Sequence, residues 1–135
     1  MIRHLLDTDI CIALIRGRSE PVLDRLKRCP PGSLGISSIS LAELWFGVSR
    51  SGESEANHAS LVQFCAPLQV MPFDTAASAT YGRIRAALEG RGTPVGPLDT
   101  LIAAHALSLP AVLVTNNERE FRRIPGLKLE NWSRR

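Results

Sequence analysis

Apolar residues fall in short blocks whose period changes along the chain. Arg3 to Leu6 reads as a buried strand, and Thr8 to Ile15 as a helix ended by Gly17. Past Ser19, Val22, Leu23, Leu26 and Cys29 share one side of a second helix, which Cys29-Pro30-Pro31-Gly32 breaks. Leu34 to Ser37 reads as the next strand. The helix after it carries Leu41, Leu44, Trp45 and Val48 at i, i+3, i+4 and i+7, an inward stripe that leaves Glu43 to one side. A polar stretch, Ser49 to Asn57, leads to a helix holding Leu61, Val62 and Cys65 and closed by Pro67, followed by a strand over Leu68 to Phe73.

Thr75 to Glu89 is a long helical pattern, and Gly90 to Pro97 the clearest loop. Leu98 to Leu109 forms a helix with Leu98, Leu101, Ile102, His105 and Leu109 on one face. Val112 to Val114 is the most strongly apolar strand, with Thr115-Asn116-Asn117 at its exit. A short helix near Glu118 to Arg123 and a strand near Leu127 to Leu129 complete the pattern. Alternating strands and helices predict an α/β domain, with a central, mainly parallel sheet of about four to five strands and helices on both faces. Residues 1–135 read as one domain without repeat or linker. Sites in such folds open at the carboxyl ends of the strands, where Asp7 and the Thr115-Asn116-Asn117 group would lie.

Composition narrows the picture. A chain of 135 residues with 44% hydrophobic and only 5% aromatic content suits helices around an aliphatic sheet better than an aromatic β-sandwich. Cys11, Cys29 and Cys65 are odd in number and widely spaced within apolar patterns, so they suggest neither a disulfide framework nor a zinc site, and a reducing cytoplasm is expected. No apolar run reaches the ~18 residues of a membrane span, and the start of the chain lacks a signal-peptide core, so no membrane association is expected. The 16 basic residues face 13 acidic ones; setting aside Asp7, Glu43, Asp99 and Glu120 leaves 9. An acidic pit within a basic surface suits a polyanionic substrate, although charge alone reads equally as ordinary solvated side chains.

Those four acids are the candidate chemistry, and each has a purely structural alternative. Asp7 or Asp9 fits a helix N-cap. Ser40-Leu41-Ala42-Glu43 fits a capping box, with Glu43 reaching back to the helix start. Asp99, behind Pro97 at the first helical position, is an early acid favoured by the helix dipole. Glu120 fits a solvated charge beside Arg119 and Arg123, Asn116 and Asn117 fit a turn, and His105, Trp45 and Trp132 fit packing roles. Against these, Asp99 projects beside the small Ala103 and Ala106, and several ionised carboxylates brought together would repel unless a cation joined them. Oxygen-only ligands suit Mg²⁺ or Mn²⁺.

Four stretches, in order and nearly end to end, give the chain a resemblance to PIN-domain ribonucleases and, among them, to the VapC toxins of bacterial VapBC toxin–antitoxin pairs. They are Leu5-Leu6-Asp7-Thr8-Asp9-Ile10-Cys11-Ile12, Ile36 through Leu44, Gly92 through Ala103, and Val114-Thr115-Asn116-Asn117 through Leu127. The resemblance implies a PIN-like fold and a metal-dependent endoribonuclease that leaves a 5′-phosphate and a 3′-hydroxyl. Asp7 and Asp99 carry over as principal ligands of Mg²⁺ or Mn²⁺, with Glu43 as the third acid. The Gly-Thr-Pro-Val-Gly-Pro loop and the Thr-Asn-Asn exit look most like the branch that cuts initiator tRNA in its anticodon loop. A homodimer and a VapB-type antitoxin are implied as partners.

The chain departs from that family at two places. Many PIN domains carry a fourth acid where Asn116 and Asn117 stand here, so Glu120 is a candidate alongside Asn117 and Thr115; Asp9 often corresponds to Asn or Ser. Other readings of the residues are a haloacid-dehalogenase-type phosphatase, from Asp7-Thr8-Asp9, a receiver-like domain, and a PIN domain that binds RNA without cutting it. The first lacks a well-placed lysine, since Lys27 and Lys128 fit poorly, and the second gives no reason for Glu43 and Asp99 at helix starts.

Overall fold

In the computed structural model, which describes residues 1–133, five strands and seven helices alternate along the described chain. They are β1 (His4–Leu6), α1 (Thr8–Ile15), α2 (Glu20–Lys27), β2 (Leu34–Ser37), α3 (Ser38–Ser49), α4 (Ser54–Cys65), β3 (Gln69–Met71), α5 (Thr75–Gly90), α6 (Pro97–Ser108), β4 (Val112–Val114), α7 (Glu118–Phe121) and β5 (Leu129–Glu130). The strands form one sheet in the order β3-β2-β1-β4-β5, and every pairing is parallel. The chain runs outward from β1 to β3, then crosses back to β4 beside β1. The sheet therefore changes direction between β1 and β4, and a crevice opens at their carboxyl ends.

Strand alternation sorts the core into two layers. Leu5 and Leu113 pack with Ile84, Leu88 and Ile102 of α5 and α6. Their neighbours Leu6 and Val114 point the opposite way, onto Ile10, Val22, Leu44 and Leu61 of α1 to α4. Both faces of the short strands are thus buried, which explains their unbroken apolar sequence. The segment after β5 is tied down through Trp132, which is buried, donates from its indole to Glu130 Oε1 at 2.8 Å, and lies about 5 Å from both the His4 ring and the Arg25 guanidinium. Trp132 packs as expected, and Trp45 joins the same layer half-buried.

Several expected details shift. The last strand lies at Leu129–Glu130 rather than Leu127 to Leu129, and β3 covers only the middle of Leu68 to Phe73. Leu98 and Leu23, assigned to inward stripes, are exposed. On α6 Ile102 and His105 are buried as expected, and Ala103, Ala104 and Ala106 are buried with them. The capping box at Ser40 does not form: Ser37 is the N-cap of α3 and accepts the Ile39 N–H at 3.0 Å, because β2 runs straight into the helix. Ser40 lies inside the helix, buried, and Glu43 is released from capping.

Gly35 of β2 is required by close approach. A Cβ there would stand 2.6 Å from Ile2 Cδ1 and 2.9 Å from the carbonyl oxygen of Gln69 in the paired strand. Gly35→Ala is therefore expected to lower unfolding free energy by about 1–3 kcal/mol in denaturant titration. Gly82→Ala, at an exposed position of α5 with nothing within 4 Å, should raise it by about 0.5–1 kcal/mol. Equal effects of the two would contradict this packing.

Candidate active site

The crevice is built from strand ends. Leu6 pairs with Val114, and the Asp7 N–H extends that ladder to the Val114 carbonyl at 2.9 Å, so Asp7 and Thr115 leave the sheet side by side. Asp7 is almost wholly buried and serves two functions. Its Oδ1 caps α1 by accepting the Thr8 N–H at 2.8 Å, and its Oδ2 accepts the Thr115 hydroxyl at 2.7 Å. Thr115 Oγ1 in turn accepts the Asn117 N–H at 2.9 Å. The cap and the site reading for Asp7 are thus compatible, since each oxygen retains a second lone pair.

Glu43 projects from α3 toward α1, where its Oε1 accepts the Thr8 hydroxyl at 2.9 Å. Asp9 stands exposed in the first turn of α1, on the rim of the same groove. Asp99 enters half-buried from the first turn of α6. Glu120 holds the loop leading to it: Oε1 accepts the Gly96 N–H and Oε2 the Asn117 amide, both at 2.8 Å. Asn117 therefore turns to Glu120, while Asn116 is exposed and accepts the Ser133 hydroxyl. His105 is a core residue, its Nδ1 2.8 Å from Ser37 Oγ and its ring edge-on to Phe73.

These acids feel one another. Burial pushes Asp7 up to about 6 against the Thr115 hydrogen bond, with the charges of Asp9 and Glu43 adding to the rise. Burial also pushes Asp99 up to about 7, helped by a carboxyl hydrogen bond with Glu120 and the charges of Asp7, Glu120 and Asp9. Glu120 shifts down, chiefly because the Gly96 N–H stabilises its anion, with Asp99 and the Asn117 amide lowering it further. Among the described residues no three His, Cys, Asp or Glu side chains close into a ready cage for a metal ion. The donor set still suits a hard cation that takes one or two carboxylates and keeps its waters, as Mg²⁺ does. Asp7, Glu43 and Asp99 share a groove of about 1310 Å³, with Asp9 on its rim.

The PIN domain family matches residues 4–127 of the chain. The tRNA(fMet)-specific endonuclease VapC of Salmonella typhimurium is 44% identical over 132 residues, spanning 98% of this chain and 99% of its own. The chain belongs to the VapC family of PIN domains. The DNA-bound VapBC structure from Salmonella typhimurium matches this PIN domain with a TM-score of 0.94 at 44% identity, over 98% of this chain and 99% of that one. VapBC2 from Rickettsia felis, bound to a fragment of promoter DNA, gives 0.92 at 41% identity, over 98% and 99%. Family membership removes the phosphatase and receiver readings. Among the described residues no helix is long and apolar enough to cross a membrane.

Sequence reasoning missed Thr8, whose hydroxyl holds Glu43, and the arginines and Phe46 that line the groove of this PIN domain. The Thr8 role needed the approach of α1 to α3, which no local pattern encodes. Because the Asp7 carboxyl is raised on folding, its contribution to stability is fully present below its ordinary value near 3.8 and is lost as pH rises through about 6. In metal-free protein, Asp7→Asn should therefore gain on the wild type by up to about 2–3 kcal/mol between pH 4 and pH 7. Parallel unfolding curves across that window would contradict the assigned cause.

Proposed function

We propose that this PIN domain is a Mg²⁺- or Mn²⁺-dependent endoribonuclease, the toxin of a VapBC pair, which cuts initiator tRNA in its anticodon loop. The observation that carries the reading is the convergence of Asp7, Glu43 and Asp99 on one groove, where burial and neighbouring acids raise both Asp7 and Asp99. The Salmonella typhimurium relative, a tRNA(fMet)-specific endonuclease, supports the substrate. The VapBC complexes among the structural relatives support a VapB-type antitoxin as partner.

Asp7 and Asp99 would hold the cation, with Glu43 as the third acid. A bound divalent ion supplies a more acidic water and screens the charge that develops on phosphorus. The protein's own groups do the positioning. Thr8 and Thr115 lock the Asp7 carboxylate, and Thr8 also holds one oxygen of Glu43, leaving the other to orient the attacking water and accept its proton. The water oxygen bonds to phosphorus, the bond to the 3′ oxygen breaks, and the 3′ oxygen leaves protonated from solvent. Glu120, through Gly96 and Asn117, fixes the loop that carries Asp99 and is a positioning residue.

Purified protein incubated with total tRNA should produce one predominant cut, in the anticodon loop of initiator tRNA, that requires Mg²⁺ or Mn²⁺ and disappears in Asp7→Ala and Asp99→Ala. Thr115→Val, which removes only the hydroxyl that fixes Asp7, should weaken metal affinity or rate about 10–100-fold. Cutting that persists in chelator or in Asp7→Ala would refute the reading.

A further inference from the structure

Phe46 is difficult to account for by packing. The core stripe of α3 runs through Leu41, Leu44, Trp45 and Val48, and Phe46 falls off it, leaving its side chain 64% exposed. One turn later Arg50 places its guanidinium 5.3 Å from the centre of the Phe46 ring. Both residues line the groove that holds Asp7 and Asp99, together with Arg16 and Arg18 from the end of α1. An exposed ring, a guanidinium plane and a basic flank in continuity with an acidic centre match what unpaired RNA needs: π-faces for its bases and cations for its phosphates. An acidic peptide could also meet the ring and the arginines, but the continuity of this flank with the acidic centre, where a scissile phosphate would sit, favours RNA.

We propose that Phe46 and Arg50 form a stacking platform for an unpaired base of the RNA next to the scissile phosphate, with Arg16 and Arg18 holding the adjoining backbone. This rests on the nuclease reading and adds to it the element that selects a splayed loop over a duplex, whose bases offer no free face. Asn57 and Ser60, on the wall contributed by α4, are placed to meet polar groups of the bound strand.

The test uses stem–loop RNAs carrying the initiator-tRNA anticodon arm, with an abasic nucleotide at each loop position in turn. Phe46→Ala should raise KM about tenfold while kcat and thermal midpoint stay near the wild-type values, and Phe46→Trp or Phe46→Tyr should restore KM. One abasic position should cost the wild type a similar factor and cost Phe46→Ala nothing further. The inference is overturned if Phe46→Ala keeps the wild-type KM, if abasic losses are identical in both proteins, or if the variant changes only inhibition by a VapB-type antitoxin. A wild type that cuts none of these RNAs would remove the nuclease reading and this one together; a wild type that cuts while Phe46→Ala matches it would remove this one alone.

Discussion

A carboxylate buried at the meeting point of two strand ends is what the rest of the molecule is arranged around. Parallel pairing of β1 with β4 sets Leu6 against Val114, so Asp7 and Thr115 emerge together and hydrogen-bond at 2.7 Å. The same Asp7 starts α1 through the Thr8 N–H, and Thr8 then reaches Glu43 on α3. One side chain thereby links the sheet edge, the start of α1 and, through Thr8, the acid on α3. A shift of the β1–β4 register by one residue would exchange the two core layers, so hydrophobic burial enforces the geometry of the site.

The arrangement has an electrostatic cost. Burial and neighbouring acids destabilise ionised Asp7 and Asp99, and the hydrogen bonds from Thr8 and Thr115 offset only part of that for Asp7. Beside Asp99 stands Glu120, whose own charge is held by the Gly96 N–H and the Asn117 amide. A fold selected for stability alone would replace these acids. Their presence in a groove flanked by Arg16, Arg18 and Arg50 follows if the opposing charges belong to ligands: a cation at the centre and a phosphate backbone along the flank.

The fold was legible because short apolar blocks alternating with helical stripes permit few topologies, and Pro97 and Gly17 mark element ends clearly. The site was legible where an acid follows a strand or opens a helix, as Asp7 and Asp99 do. Ser40-Leu41-Ala42-Glu43 misled because β2 passes into α3 without a loop, giving the cap to Ser37, a choice set by tertiary register. Leu98 misled in the opposite sense: periodicity marked it as inward, but it sits in the first turn of α6, before the buried stretch that begins at Thr100, and lines the groove. Phe46 was not legible because its place on the groove wall beside Arg50 depends on how α3 packs against α1 and α4.

The central claim, that these crowded carboxylates wait for a hard cation, predicts coupled proton release. Calorimetric titration of Mn²⁺ into metal-free protein at pH 6, in two buffers of different ionisation enthalpy, should show about one proton expelled per ion, falling toward zero by pH 9 and much reduced in Asp7→Asn. Binding without proton release at pH 6, or equal binding by Asp7→Asn, would contradict it.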